Sequence, residues 1–377
     1  MRILFTRFPL ESAYGGAEVQ TLSLMKGLIA RGHGVAFLGS CPTLLRLCEE
    51  QGILSGELTI GPPPVTKWSA MSFLWRKKAM RDRLVSAVQE FGALDAIVML
   101  SLTEKLLLTP FALARGMRVL WVEHDRVGRW LTLSPWLPML RRVSKGVTIV
   151  TVSNLSRKIY VEQLKFAPQN VVAVGNGIDP TRLEGGAALQ RPSHSILHVG
   201  TVARLSSDKG IDVLLNAITA LPGVTLDILP TGGNGSDAAR IRSLTEKINR
   251  SGERVRILPP SSENIGAFYR SLDVFMLASR EHDPCPLAPM EALWVGTPTI
   301  LTDACGTAGY LKNGGEAIVV PAGSVTALQA ALSEMQNVTK RQSFAKQGQQ
   351  AAQERFSLDQ MLDRYQALLT SHQASGT

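Results

Sequence analysis

The feature that most constrains the fold is a rhythm. Short apolar, β-branched runs at residues 3–6, 35–38, 96–100, 119–122, 148–152 and 171–174 alternate with amphipathic helical patterns. Such runs predict parallel strands with crossover helices, because a parallel sheet is covered on both faces. A Gly, Pro and Ser-rich passage occupies 175–195, and the rhythm then restarts at 196–199, 225–229, 255–258, 274–277, 299–301 and 317–320. The pattern predicts an α/β protein of two doubly wound, Rossmann-like domains, 1–180 and 181–355. Residues 356–377 read as a tail with an amphipathic helix (Met361, Leu362, Tyr365, Leu368, Leu369) that packs back on the first domain. The length agrees, since 377 residues exceed what one core usually supports.

In open α/β sheets ligands bind beyond the carboxyl ends of the strands, so the strand-end loops of both halves are expected to face one interdomain cleft. Several function classes drop out. The four cysteines, at 41, 48, 285 and 305, form no CxxC pair and have no histidines at zinc-site spacing. A reducing compartment is expected, and no structural metal. The first residues, Met1-Arg2-Ile3-Leu4-Phe5, read as a strand and not as a secretory leader. No uninterrupted apolar stretch approaches the roughly 18–20 residues of a membrane span. The expected location is the cytoplasm, with peripheral attachment to the inner face of the cell membrane.

The net charge of +9 is unevenly placed. Residues 1–180 hold 22 Lys and Arg against 13 Asp and Glu, whereas the remainder is balanced at 18 and 18. An anionic partner for the first half follows. Residues 67–81 interleave Trp68, Phe73 and Trp75 with Lys67, Arg76, Lys77, Lys78 and Arg81, and residues 126–145 do the same around Trp130 and Trp136. Such segments suit an anionic bilayer, where indole rings sit at headgroup depth and cations pair with phosphates. The plainer reading is a helix with a solvated charged face and core-facing aromatics. No recognition motif accompanies the charge, so nucleic acid is not an expected partner.

Two constellations carry chemistry. The first follows the strand at 196–199: Gly200-Thr201-Val202-Ala203-Arg204-Leu205-Ser206-Ser207-Asp208-Lys209-Gly210, then a helix. Gly200 would let the backbone approach a ligand, and Arg204 and Lys209 would neutralise a diphosphate beside helix N-terminal amides. The alternative is a surface loop with two solvated charges. The second runs Ser279-Arg280-Glu281-His282-Asp283-Pro284-Cys285-Pro286-Leu287-Ala288-Pro289-Met290-Glu291. The prolines are expected to delay the helix until Pro289, leaving Asp283 in a loop and Glu291 in the first helical turn. A loop carboxylate can hold sugar hydroxyls and a helix-start carboxylate can accept from ribose hydroxyls, although acidic residues are also common there for dipole reasons alone.

The second constellation resembles the E-x7-E element of the retaining GT-B glycosyltransferases of family 4, the glycosyl transferases group 1. Gly15-Gly16-Ala17-Glu18 resembles that family's glycine loop, Arg31-Gly32-His33-Gly34-Val35 its entry to the second strand, and Val152-Ser153-Asn154 and Val174-Gly175-Asn176-Gly177-Ile178-Asp179 its domain-junction elements. Each motif is weak alone, and their order along residues 1–325 carries the assignment. The resemblance implies transfer of a sugar from a nucleotide diphosphate donor, UDP- or GDP-linked, to a glycan or lipid-linked acceptor with retention of configuration. It implies that Arg204 and Lys209 bind the diphosphate, Glu291 the ribose and Asp283 the transferred sugar, with Gly16, Pro286 and Leu287 completing the donor contacts. His124, in Glu123-His124-Asp125 after the strand at 119–122, resembles the family's active-site histidine; it would hydrogen-bond a sugar hydroxyl or assist acceptor deprotonation, or serve only as a structural bond at a strand end. His33 reads as a turn residue. No DxD motif is apparent, so no cofactor or metal is expected: two preorganised cations can stabilise the departing diphosphate.

The chain departs from the family pattern in three places. Asp283 is one methylene shorter than the usual Glu, and Glu281 is a rival for the sugar contact. Pro230-Thr231-Gly232-Gly233-Asn234-Gly235 stands where a G-x-G turn is usual, and Gly306-Thr307-Ala308-Gly309-Tyr310 replaces a segment that often ends in Glu. Other functions remain open at this level. A nucleotide-sugar epimerase or hydrolase would need further acid/base groups, and an inactive binding subunit would not need Arg204 and Lys209. A dehydrogenase would need a G-x-G-x-x-G after the first strand, which is missing.

Overall fold

The computed structural model describes residues 1–9, 15–185, 196–233, 235–259 and 264–371. Expectations that touch 186–195, Asn234 and the tail beyond 371 lie outside the described residues. The chain divides into two compact units, Met1–Gly175 with Asp359–Thr377, and Asn176–Leu358. The divisions fall at 175/176 and 358/359, where 180/181 and 355/356 were expected. Asn176 Nδ2 donates to the Cys285 carbonyl at 2.8 Å and Ile178 N to the Phe356 carbonyl at 2.7 Å, so this stretch is bonded into the second unit.

The first unit is built on seven strands: β1 (Arg2–Arg7), β2 (Gly34–Gly39), β3 (Leu54–Glu57), β4 (Ala96–Met99), β5 (Arg118–Glu123), β6 (Thr148–Thr151) and β7 (Val171–Ala173). They lie in the order β3-β2-β1-β4-β5-β6-β7, all parallel, with Leu4 opposite Ala36 on one side and Ile97 on the other. Successive residues Ile3, Leu4 and Phe5 are all buried, which explains why the strand is apolar without alternation. The edge strand β3 escaped the sequence reading because Leu-Ser-Gly-Glu has no β-branched residue and is half-exposed. The helix Leu358–Thr370 returns to this unit, as expected. Arg31, at the end of the helix Gly16–Ala30, pairs with Asp363 at 2.7 Å and donates to Gln366 at 3.1 Å.

The second unit holds β8 (Leu197–Ala203), β9 (Val224–Pro230), β10 (Val255–Ile257), β11 (Val274–Leu277), β12 (Thr299–Thr302) and β13 (Ile318–Val320), again parallel, in the order β10-β9-β8-β11-β12-β13. Strand order reverses between β8 and β11, and in the first unit between β1 and β4. Those are the points where an open α/β sheet offers its ligand crevice. Strand β8 runs four residues past the expected 199, to Ala203, which corrects the role given to Gly200. Gly200 pairs with Phe275 inside the sheet, and a Cβ there would lie 2.4 Å from Leu272 Cδ1; the space above it is filled by core and admits no ligand.

Candidate active site

In the second unit the loops after β8 and β11 are tied together at the reversal point. The β8 loop carries Arg204, then a 3-10 turn Ser207–Lys209, then Gly210 at the start of the helix Ile211–Thr219. Arg280 N donates to the Asp208 carbonyl at 2.8 Å, and Ser207 N donates to Asp237 Oδ2 at 2.8 Å. Asp212 Oδ2 accepts from both Arg240 at 3.0 Å and Arg280 at 2.9 Å. Gly210 sits at φ +62°, and a Cβ on it would lie 1.9 Å from the Ala278 carbonyl oxygen, so only glycine allows the two loops to approach this closely.

Lys209 Nζ donates to Asp283 Oδ2 at 2.6 Å, and Ser279 Oγ donates to the same oxygen at 2.8 Å. Asp283 is itself clamped, its N–H donating to the Ala304 carbonyl and its own carbonyl accepting from Gly306 N. The segment at 306–310 that departs from the family pattern thus braces this turn, with Thr307 Oγ1 donating to the Pro286 carbonyl at 3.1 Å. Glu281 is exposed, and the residue joined to Lys209 is Asp283. Arg204 is more than half exposed and pairs loosely with Asp208 at 3.4 Å, leaving its guanidinium available to an anion. The Pro230 to Gly233 turn holds the β8 loop, since Leu205 N donates to the Gly232 carbonyl at 2.8 Å.

Glu291 is buried. Oε1 accepts from Arg182 Nη1 at 3.0 Å and Oε2 from the Tyr269 hydroxyl at 2.9 Å. Burial and the nearby Glu291 charge hold the Tyr269 phenol well above its ordinary pKa, which keeps it a donor. The expected position needs correction: the helix spans Leu287–Trp294 with Pro286 as its cap, so Glu291 is its fifth residue and lies beyond the first turn. Proline at the third position is tolerated because the first N–H groups of a helix have no intrahelical partner, and the helix therefore starts two residues before Pro289. Sequence reasoning missed Arg182, Tyr269, Asp212 and Arg280. Arg280 stood inside a motif but was given no role, the other three have no local motif, and Arg182 lies 109 residues from Glu291.

In the first unit, the carboxyl ends of β1 and β5 and the helices Gly16–Ala30 and Leu102–Leu107 hold a second polar cluster. Arg7 Nη2 meets Glu18 Oε1 at 2.7 Å, both side chains being buried, and Lys105 Nζ meets Glu123 Oε2 at 2.8 Å. Gly16 opens the helix Gly16–Ala30 that carries Glu18. His124 is half-buried; burial and the Arg7 and Lys105 charges push its pKa down to about 4, against the pull of Asp125, so the ring is neutral near pH 7. Among the described residues, Thr6 Oγ1, Arg7 Nε, Thr103 Oγ1 and Glu104 Oε2 are buried without a hydrogen-bond partner.

Glu104 is fully buried, with Oε1 accepting from Ser101 N at 2.6 Å. Burial raises its pKa from an ordinary 4.5 to about 7, although Lys105 and Arg7 pull the other way. The folded chain therefore favours the protonated acid. This contribution to stability is full below the unfolded pKa and is lost as pH rises through about 7, a change of roughly 3 kcal/mol. Glu104→Gln, neutral and of the same shape, is expected to raise the melting temperature at alkaline pH and to flatten its fall with rising pH. Parallel melting curves across that pH range check this; equal slopes for the two proteins would refute it.

Two family models match the chain: Glycosyltransferase Family 4 over residues 14–182 and Glycosyl transferases group 1 over residues 195–351. Among curated relatives, a lipopolysaccharide core biosynthesis glycosyltransferase of Rhizobium meliloti is 27% identical over 174 residues, 46% of this chain and 49% of that protein. A D-inositol 3-phosphate glycosyltransferase of Rhodococcus erythropolis is 32% identical over 167 residues, 41% of this chain and 37% of that protein. The chain thus spans half or less of the length of these relatives. In fold it resembles HepE of Anabaena, solved with UDP, at a TM-score of 0.81 and 18% identity over 99% of this chain and all of that one. A glycosyltransferase of Rickettsia africae gives 0.77 at 17% identity, covering 98% and 99%. With a family model on each of its two parallel-sheet units, the chain belongs to the GT-B glycosyltransferases of group 1.

Proposed function

We propose that this protein transfers a sugar from a nucleotide diphosphate sugar, with retention of configuration, to a glycan or lipid-linked acceptor in polysaccharide or glycolipid synthesis at the cytoplasmic face of a membrane. The observation that carries the reading is the contact of Lys209 with buried Asp283, which joins the β8 and β11 loops at the strand-order reversal of the second unit, with Arg204 in the same β8 loop and buried Glu291 in the helix that follows Asp283. Departure of a nucleoside diphosphate builds negative charge, and cations fixed in advance stabilise it at no reorganisation cost. Lys209 is fixed by Asp283, while Arg204 approaches from solvent; together they carry the charge neutralisation, and we assign no metal to the reaction.

Asp283, braced by Ser279 and the Gly306 backbone, is the candidate for the transferred sugar, with Glu281 a rival at the rim. Each oxygen of Glu291 has given one acceptor site to protein and keeps a second lone pair, enough to accept from two ribose hydroxyls. The backbones of Gly16, Pro286 and Leu287 complete the donor contacts. In the first unit, neutral His124 is suited to hydrogen-bond a sugar hydroxyl or to take a proton from the acceptor. The unpartnered buried atoms of Thr6, Arg7, Thr103 and Glu104 are donors and acceptors of the kind that a hydroxyl-rich acceptor satisfies.

UDP-sugars are the first donors to try, because the Anabaena protein of similar fold was solved with UDP and with UDP-glucose. In a panel of UDP-, GDP- and ADP-sugars, at least one donor should be consumed slowly without acceptor and faster with one. The glycosidic product should keep the donor's anomeric configuration by NMR, and turnover should survive a chelator. No binding or consumption of any donor would sink the proposal, and a donor merely isomerised would favour an epimerase.

A further inference from the structure

We infer that the first half of the helix Lys67–Glu90 is a docking face for an anionic lipid bilayer. One side of this helix is committed to the core: Ala70, Phe73, Met80, Leu84 and Val88 are buried, and Phe73 packs edge-on against Trp136 with ring centroids 4.8 Å apart. The opposite side should be polar in a solvated helix. In the second half it is, with Arg81, Asp82, Arg83, Ser86, Gln89 and Glu90 outward. In the first half it is apolar. Trp68 is 81% exposed, Trp75 77%, Met71 57% and Leu74 54%. Trp68, Met71 and Trp75 stand at i, i+3 and i+7, one stripe of a helix. The core-facing requirement is already met by the other side, so these aromatics are not explained by folding.

The charge identifies the occupant. Between Lys67 and Arg81 there are five cations and no carboxylate. Lys67, Lys78 and Arg81 are exposed beside the apolar stripe, and long cationic side chains can reach phosphates while the indoles lie at headgroup depth. The segment packed beneath supplies more of the same: Trp136 Nε1 donates to the Ala70 carbonyl, and Leu133, three residues earlier, is 68% exposed. A second copy of this chain fits poorly, because a two-fold contact would set the same cations against each other. The inference rests on the membrane side of the proposed function and is independent of the donor chemistry.

Flotation with vesicles tests it. The protein should float with phosphatidylcholine vesicles containing phosphatidylglycerol, stay behind with phosphatidylcholine alone, and be released by high salt. The exposed double variant Trp68→Ser/Trp75→Ser should melt like the parent and partition about tenfold or more weakly. Failure of the parent to float at low salt would overturn the inference, as would equal flotation of the variant. So would a self-associated protein that ignores vesicles and is made monomeric by the double variant. None of these readouts uses a nucleotide sugar, so a failed donor screen leaves the result intact.

Discussion

Lys209→Met is expected to lower transfer turnover by roughly 10²–10³-fold, the cost of about 3–4 kcal/mol that accompanies removal of one preorganised group facing developing negative charge. A lysine with a solvated side chain in a surface loop could be deleted without harm to the fold. The structure places Lys209 otherwise. Lys209 and Asp283 are 14% and 10% exposed and meet at 2.6 Å, so removing the lysine leaves a buried carboxylate with Ser279 as its remaining side-chain donor. A stability loss of about 3 kcal/mol should accompany the loss of rate. The double variant Lys209→Met/Asp283→Asn separates the two effects. Removing the stranded charge should restore much of the melting temperature, while turnover stays low because the cation is still missing. Near-wild-type turnover in the single variant would take Lys209 out of the site.

The second large effect is expected at Gly210→Ala. A non-glycine residue at φ +62° costs about 1–2 kcal/mol. The added Cβ would also meet the Ala278 carbonyl at 1.9 Å, a backbone atom that cannot rotate away, for about 1–3 kcal/mol more of local displacement. Unfolding by denaturant should therefore show a destabilisation of roughly 2–5 kcal/mol. The remaining folded protein should bind its donor more weakly, because the displaced loops carry Lys209 on one side and Asp283 on the other. A variant as stable as the parent would mean that the loops separate without cost.

Much of the architecture is written locally. All twelve expected strands are present in the structure: the central ones are apolar throughout because both faces are buried, the edges β7, β10 and β13 still carry β-branched residues, and β3, an edge with no β-branched residue, was missed. The motif-bearing residues were legible because they follow strong strand signals closely: Arg204, Lys209 and Asp283 lie in strand-end loops or the short turn there, and Glu291 in the helix just beyond. Their partners were not. Tyr269 and Arg182 reach Glu291 from elsewhere in the second unit, and Asp212 joins Arg240 and Arg280 across long sequence separations. Hydrogen bonds between distant positions leave no spacing to read. Gly200 misled for a different reason: a glycine at a strand end and a glycine making room for a leucine look alike until the leucine is placed.

The helix Leu358–Thr370 has a consequence for how the chain is made. The first unit owns residues from both ends of the sequence, with the whole second unit inserted between them. As the chain leaves the ribosome, the second unit has all its strands available before the first has its final helix, so the unit begun first is completed last. Until Asp363 and Gln366 arrive, Arg31 and the helix that carries it wait for a surface synthesised more than three hundred residues later. Interrupted synthesis would thus yield a finished second unit attached to an unfinished first one.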